Sequence, residues 1–374
     1  MHPLTVIPAE DTLAFELGWD HARYGIAPTS PRAYDSPSLR CGLVAGRANA
    51  ASRRRAPSRA VRLWLKLRLQ AWCEGRSVEP VQVTPRFVRQ LEVSHCPITR
   101  EHLGDERSPC SGAAIVRVRH DAAYAAGNLA MLSAKAQRAG ATVTRDQAQQ
   151  LSQCLDADRH VGTGGLGGLT GAQWARVASL ASFVEPLTHE QGCTLPLLVL
   201  PPNRLRLFNP AQALQAFVSR QLLAPGWSLR VSRIEALLPA RAAQRSFQTF
   251  FHALLPRVLE AGRNLAAHEQ RWAIEDAWRE PLVQQRWWAF ARQLSAAQCE
   301  ALVVRAHAKR LGQGLLQTLD DRAAVDGWEL RQPGQVSAQG VAGPVAPLRR
   351  TLRPQSRWLP TWQQAPRQAV LPLQ

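Results

Sequence analysis

From Thr170 onward one helix signal follows another, and that succession restricts the chain to a predominantly helical architecture. Thr170-Gly171-Ala172-Gln173 reads as a capping box that opens a helix through Trp174, Val177, Leu180 and Phe183. Asn209-Pro210 pairs an N-cap with proline at the first helical position, ahead of Leu214, Phe217, Val218 and Leu222. A longer helix is predicted over about 241–261, with Phe247, Phe250, Phe251, Leu254, Leu255 and Leu259 at helical spacing and Pro256 as a kink. The next, over about 265–294, carries Trp272, Trp278, Trp287 and Trp288 and is kinked or broken at Pro281. Ser295 caps a last one bearing Cys299, Leu302, Val303 and Ala306. These apolar and aromatic positions read as core, and 45% apolar residues with 12 tryptophans are enough to exclude disorder throughout. The expected fold class is mainly α with a small α+β unit and a helical C-terminal domain.

Upstream the pattern changes. Residues 1–58 mix Pro, Gly and Ser with Phe15, Trp19 and Tyr24, and read as irregular structure packed on a core. In RAVRLWLKLRLQAWC, residues 59–73, apolar and polar residues alternate from Val61 to Leu69, except at Trp64, which is the strand period. Leu, Arg, Lys, Gln and Ala are helix formers, however, and only one residue is β-branched, so a helix is predicted. Arg55, Arg59, Arg62 and Lys66 would then form one basic stripe, either a solvated face or a phosphate-contacting one. Thr84-Pro85 starts a short helix to about 92, His95 to Thr99 forms a turn, and the β-branched run around Ile115-Val116 is a strand. Asn128 is expected to N-cap a helix LAMLSAKAQRAG, the whole making a ββα-like unit if a second strand precedes Ala114.

The glycines of GTGGLGG satisfy Gly-x-Gly-x-x-Gly at Gly162, Gly164 and Gly167, but a dinucleotide site needs a strand just before it, and LSQCLDADRH has no strand pattern. They are read as a linker. The expected organisation is an irregular region 1–58, a basic helix with the ββα-like unit over 59–150, a Gly-rich linker 151–170, a helical domain 171–330 and a disordered basic tail 331–374.

The net charge is +18, from 46 Lys and Arg against 28 Asp and Glu, with a pI near 11.1. Lys66, Lys135 and Lys309 are the only lysines, the skew a GC-rich genome imposes, so the total alone does not establish a polyanion partner. Its location carries more weight: Arg331, Arg349, Arg350, Arg353, Arg357 and Arg367 come after Glu329 with no further acid, and the nine basic residues from Arg47 to Arg76 face only Glu74. The seven cysteines are scattered and never form Cys-x-x-Cys, which argues against a disulfide framework and a complete zinc knuckle. The first fifteen residues lack a signal-peptide pattern and no apolar run reaches the ~18 residues of a membrane span, so a cytoplasmic protein without membrane association is expected.

The segments HCPIT and IVRVRHDAAYAAGNLAMLSAKAQRAG, within 95–140, resemble the core of HNH-type nuclease domains. In particular they resemble the subgroup with a Cys-Pro-x-Thr turn, an Arg-containing strand, a Gly-Tyr-x-x-x-Asn-Leu segment and a Ser-x-x-x-Asn-x-x-Lys helix. Cys96-Pro97-Ile98-Thr99 matches the turn, Arg117 the strand arginine, Tyr124 and Asn128-Leu129 the middle element, and Ser133 the helix serine. The resemblance implies a treble-clef-like, ββα-metal fold. In it a strand histidine activates water, a divalent metal supports the scissile phosphate and an asparagine orients the histidine.

This chain departs from that pattern at Val116-Arg117, which lacks the acidic ligand, and at Ala123, Gln137 and Gly140. The positions corresponding to a structural zinc site are Cys96, Thr99, Ser133 and Ala136, and one thiolate cannot hold zinc. His120-Asp121 could replace base and carboxylate, but neighbours on a strand point to opposite faces, so a surface-loop pair is the simpler reading. His95 reads as a satisfied or exposed histidine and Cys96 as a small buried residue. No Gly-x-Ser-x-Gly, His-Glu-x-x-His or Walker loop is present.

The expected function is therefore nucleic-acid binding by a degenerate HNH-like domain without a cofactor, through Arg55, Arg59, Arg62, Lys66, Arg117, Arg119, Lys135 and Arg138 as phosphate contacts. One alternative is an active nuclease using His120 and Asn128 with a divalent metal such as Mg. Another is a protein-protein scaffold whose partner docks on the tryptophan-rich helices.

Overall fold

The computed structural model describes residues 9–49, 56–104, 112–157, 166–262, 264–311 and 327–330. Arg55, Cys110, Gly162, Gly164 and the predicted tail 331–374 lie outside the described residues. The fold is mainly α, with two short antiparallel strands.

The expectation of irregular structure before residue 58 is corrected. Helices α1 (Ala9–Arg23), α2 (Pro31–Asp35) and α3 (Pro37–Asn49) occupy that region. Its glycines, which weaken a helix reading, serve packing: α1 and α3 approach so closely that a Cβ on Gly18 would lie 2.1 Å from the Leu39 carbonyl oxygen, and one on Gly42 2.0 Å from that of Phe15.

Helix α4 (Arg59–Cys73), N-capped by the Ser58 hydroxyl, explains the strand-like alternation of its sequence. Ala60, Leu63, Leu67 and Ala71 face the main core, whereas Leu65 and Leu69 face a second core shared with Leu17, Leu39 and Leu43 of α1 and α3. Burial on two sides adds a second apolar row to the first, and the sum resembles a period of two. One row remains open to solvent, with Arg62 and Lys66 exposed and Gln70 half-buried one turn beyond Lys66.

After α5 (Pro85–Leu91), capped by Thr84, come β1 (Ala113–Arg117) and β2 (Leu129–Ser133), paired from Ala113↔Ser133 to Arg117↔Leu129. Helix α6 (Ala134–Gly140) comes next, with Ser133 as N-cap. The second strand thus comes after β1 instead of preceding it. LAMLS, expected as helix, is strand because all five residues are buried and only the remainder, AKAQRAG, has a solvent face.

Helix α7 (Arg145–Ala157) runs into the expected linker and packs on α8 (Gly171–Ser182), whose Thr170–Gln173 capping box forms as predicted. A helix, not a strand, thus precedes the glycine run, and Gly167 and Gly168 sit in a tight turn against Ala139 and the Lys135 stem. The remaining helices are α9 (His189–Thr194), α10 (Pro210–Gln221), α11 (Trp227–Glu235), α12 (Arg241–Glu260), α13 (Ala267–Ala277), α14 (Pro281–Ala291) and α15 (Ala296–Ala308). Pro256 stays within α12, whereas Pro281 starts α14, so the predicted 265–294 helix is two. Trp174, Trp278, Trp287 and Trp328 are fully buried. One continuous core runs from Ala60 to Trp328, so the boundary expected between 59–150 and 171–330 does not divide it.

Candidate functional site

The hairpin loop between β1 and β2 is held from inside by Asn128, which is completely buried. Its Oδ1 accepts the Arg119 backbone N–H at 2.8 Å, and its Nδ2 donates to the carbonyls of Arg119 and Ala123, both at 3.1 Å. The expected helix-capping role is corrected, because Leu129 continues as strand and Ser133 takes the cap. Asn128 instead clamps the backbone on either side of His120 with an amide that is fully buried. A second segment lies alongside the same loop: Tyr124 N–H donates to the Ser77 carbonyl and Glu79 N–H to the Tyr124 carbonyl, each at 3.0 Å.

Around this loop is a cleft of about 90 Å3, lined by Gln70 and Glu74 of α4, Arg117, His120 and Tyr124 of the hairpin, and Gln137 of α6, over an apolar floor that includes Val116, Leu132 and Leu180. That volume accommodates a few waters or one small polar group, not a nucleobase with its sugar. Arg117, His120 and Gln137 therefore converge, and Asn128 lies behind them. The Arg117 guanidinium donates to the carbonyls of His120 and Ala122, pairs with the Glu74 carboxylate at 3.2 Å and lies 4.9 Å from the centre of the Tyr124 ring. The Tyr124 hydroxyl donates to the same carboxylate at 2.9 Å. Burial, reinforced by Glu74, raises the Tyr124 phenol well above its ordinary value, so it remains a donor. Burial and then the Arg117 cation hold the His120 imidazole below its ordinary value, against a bond to the Gly140 backbone and the charges of Asp121 and Glu74. It is neutral at neutral pH.

The turn 96–100 approaches the start of α6. Thr99 N–H donates to Cys96 Sγ at 3.5 Å, the Thr99 and Ser133 hydroxyls are 3.1 Å apart, and Ser133 Oγ accepts the Ala136 N–H at 3.3 Å. The four positions at which the resemblance would put zinc ligands are thus linked in space by hydrogen bonds, but they supply one thiol, two hydroxyls and a methyl, a donor set that does not fit zinc. The cleft does not fit a divalent metal either. Its one carboxylate, Glu74, already binds Arg117 and Tyr124, and among the described residues no three His, Cys, Asp or Glu side chains could hold an ion.

The turn is fastened to the helices instead. Arg176 of α8 donates to the Ile98 carbonyl at 3.1 Å, and Arg100 bonds both Asp276 oxygens at 2.7 Å and reaches the buried Glu275 of α13. His95 stacks on His268 of the same helix at 4.1 Å between ring centres. Burial, then His268 and His102, lowers its pKa from the ordinary value.

The predicted phosphate contacts divide into two groups. Arg62, Lys66 and Arg138 are exposed, although Arg62 has a partner of its own and the Arg138 Nε–H donates to the Ala134 carbonyl at 3.2 Å. Arg117 is engaged as described, Arg119 pairs with Asp121 at 2.9 Å, Arg59 donates to the Leu103 carbonyl at 3.2 Å, and the Lys135 stem lies against Gly168. Gln70 and Glu74 were not predicted. The only sign of them in sequence is that Glu74 is the single acid in the basic 47–76 stretch. A 3.5 Å contact between the side chains of Gln70 and Gln137 joins α4 to α6 at the rim of the cleft. No family model matches this chain, nor does any curated protein or solved structure.

Proposed function

We propose that this chain binds nucleic acid through an HNH-like ββα unit that lacks the ordinary catalytic set. One observation carries the reading: at the place where such a unit would do its chemistry, Arg117, Glu74 and Tyr124 form a closed ion-pair and hydrogen-bond group, while the exposed Arg62 and Lys66 row runs into the rim at Gln70. Arg138 stands next to Gln137 on the neighbouring helix. Cations on an outer rim around an already neutralised interior favour contact with a phosphate backbone over attack on it. Such contacts give affinity with little sequence information. Arg117 and Arg119 drop out of the contact set, since each would have to give up a carboxylate partner.

The test is fluorescence anisotropy with labelled duplex and single-stranded 20-mers between 50 and 200 mM salt. The Arg62→Gln, Lys66→Gln, Arg138→Gln triple variant should lower the duplex salt slope by about 2.7, from ~0.9 per lost phosphate contact. Binding that is flat in salt would overturn the proposal. So would cleavage of the oligomers with Mg2+ or Mn2+ that disappears in His120→Ala, because a working nuclease would then be present.

A further inference from the structure

Three histidines meet where the segment 94–103 lies on α13. The backbone pairs His95 with His102 as an isolated antiparallel bridge, closed by Cys96 N–H to the Glu101 carbonyl at 2.9 Å and Leu103 N–H to the Ser94 carbonyl at 2.8 Å. That pairing sets the two imidazoles side by side, with ring centres 5.1 Å apart and 76° between their planes. Helix α13 lays His268 flat against His95, 4.1 Å away with 19° between the planes. Trp272, one turn further along α13, meets His95 and His268 edge-on at 5.3 and 4.8 Å. His95 and His268 are half-buried and His102 is exposed, so the cluster is packed yet within reach of water.

The carboxylates of the elements packed here are turned to other partners. Glu101 accepts the Thr99 hydroxyl at 3.1 Å and Glu269 the Ala266 N–H at 2.8 Å, Glu275 takes Arg271 at 3.0 Å and the Leu200 N–H at 2.9 Å, and Asp276 holds Arg100. The cations of the seam, Arg100, Arg176 and Arg271, oppose any further positive charge, and the Arg100 guanidinium lies over the Trp272 ring at 5.4 Å. Among the described residues the titratable groups that act on His95 are His268 and His102. Imidazoles stacked face to face aim their nitrogens along parallel planes instead of at one point, and among the described residues no three His, Cys, Asp or Glu side chains could hold an ion. The cluster is thus a set of proton acceptors. Neutral rings stack favourably, whereas a proton on each would put like charges 4.1 Å apart with no carboxylate in contact to offset them. We propose that this seam is an acid-sensitive latch: with neutral imidazoles it holds the segment 94–103 on α13, and proton uptake by the stacked pair loosens it. The proposal does not depend on the nucleic-acid reading. Burial, then His268 and His102, places the folded His95 below its ordinary 6.5, so the latch is closed above pH 6.5 and opens as pH falls through the folded value.

The experiment is amide hydrogen exchange of the full chain at pH 7.5 and 5, corrected for the intrinsic pH dependence of exchange and read at Cys96 and Leu103. The Ala213 amide, bonded to the Asn209 carbonyl in α10, serves as the reference for any loss of overall stability. Between the two pH values, protection at Cys96 and Leu103 should fall at least about threefold more than at Ala213. In His268→Gln the facing ring is gone, and this extra loss should shrink to less than about half. His102→Gln removes the exposed neighbour without touching α13, should act in the same direction, and serves if His268→Gln does not fold. In His268→Gln the His95 Cε1 proton, followed by NMR, should also titrate closer to the ordinary histidine value than in the wild-type chain. No extra loss of protection in the wild-type chain would overturn the latch. So would an extra loss that persists undiminished in both glutamine variants, because the carboxylates of the seam would then be the groups that titrate.

Discussion

Replacing Asn128 with alanine removes three hydrogen bonds, to Arg119 N–H, Arg119 C=O and Ala123 C=O, from a side chain with no exposed surface. At about 1 kcal/mol net per bond the loss begins near 3 kcal/mol. The Ala123 carbonyl lies in a buried stretch but keeps the Ala125 N–H as a donor at 2.9 Å, and Arg119 is half-exposed, where water replaces part of what it loses, so no full desolvation penalty is added. The expected cost is therefore about 2–4 kcal/mol, a large part of the ~5–15 kcal/mol typical of a folded protein. Asn128→Asp should cost as much or more, because it keeps the acceptor for Arg119 N–H but turns an oxygen toward two carbonyl oxygens. Urea unfolding followed by tryptophan fluorescence measures the loss, and hydrogen exchange at the Arg119 amide shows whether it originates in the loop. A cost below about 1 kcal/mol, or a larger one with Arg119 protection unchanged, would refute the clamp. An Asn128→Ala protein of normal stability that had lost a catalytic activity would instead return this residue to a substrate-facing role.

The turn and the buried histidines make two further outcomes measurable. Thr99→Cys, Ser133→Cys and Ala136→Cys together should complete a tetrahedral thiolate site with Cys96, read as one equivalent of zinc and as cobalt charge-transfer absorption; a triple variant that folds but retains no metal would show that the four positions do not surround one point. His21, His120 and His307 all have pKa values lowered chiefly by burial, so on acidification the unfolded chain takes up protons before the folded one. Their contribution to stability is complete above the unfolded value of 6.5 and is lost as pH falls from there through their folded values. The urea midpoint should drop between pH 7.5 and 5 and drop less in His21→Gln, and a midpoint that rises on acidification would contradict the assignment.

Sequence reading succeeded where local chemistry decides the structure. The caps at Thr84, Thr170, Asn209 and Ser295 each place a helix start to the residue, because a side-chain acceptor for a free backbone N–H is a property of a few adjacent positions. It failed where a distant partner decides. Gly18 and Gly42 mean irregular chain in isolation and close helix contact once α1 meets α3. Leu129 to Leu132 carry a helical pattern, yet they become strand because β1 offers backbone partners on one side and packed helices cover the rest. The site divides in the same way. The turn, the strand arginine and the asparagine were visible in sequence, but Glu74 was not, because nothing local marks a carboxylate 43 residues from the arginine it neutralises.

A turn stapled by a metal carries its own fastening and can travel between proteins as a module. The turn 96–100 has its fastening elsewhere in the chain, on Arg176 of α8 and on Glu275 and Asp276 of α13. This trades portability for independence. The unit does not depend on zinc supply or on thiols staying reduced, but it cannot be excised, fused or inherited without the helices that hold it. A minimal fragment should therefore be drawn around α13 as well as around the hairpin, even though more than a hundred residues of sequence separate the two.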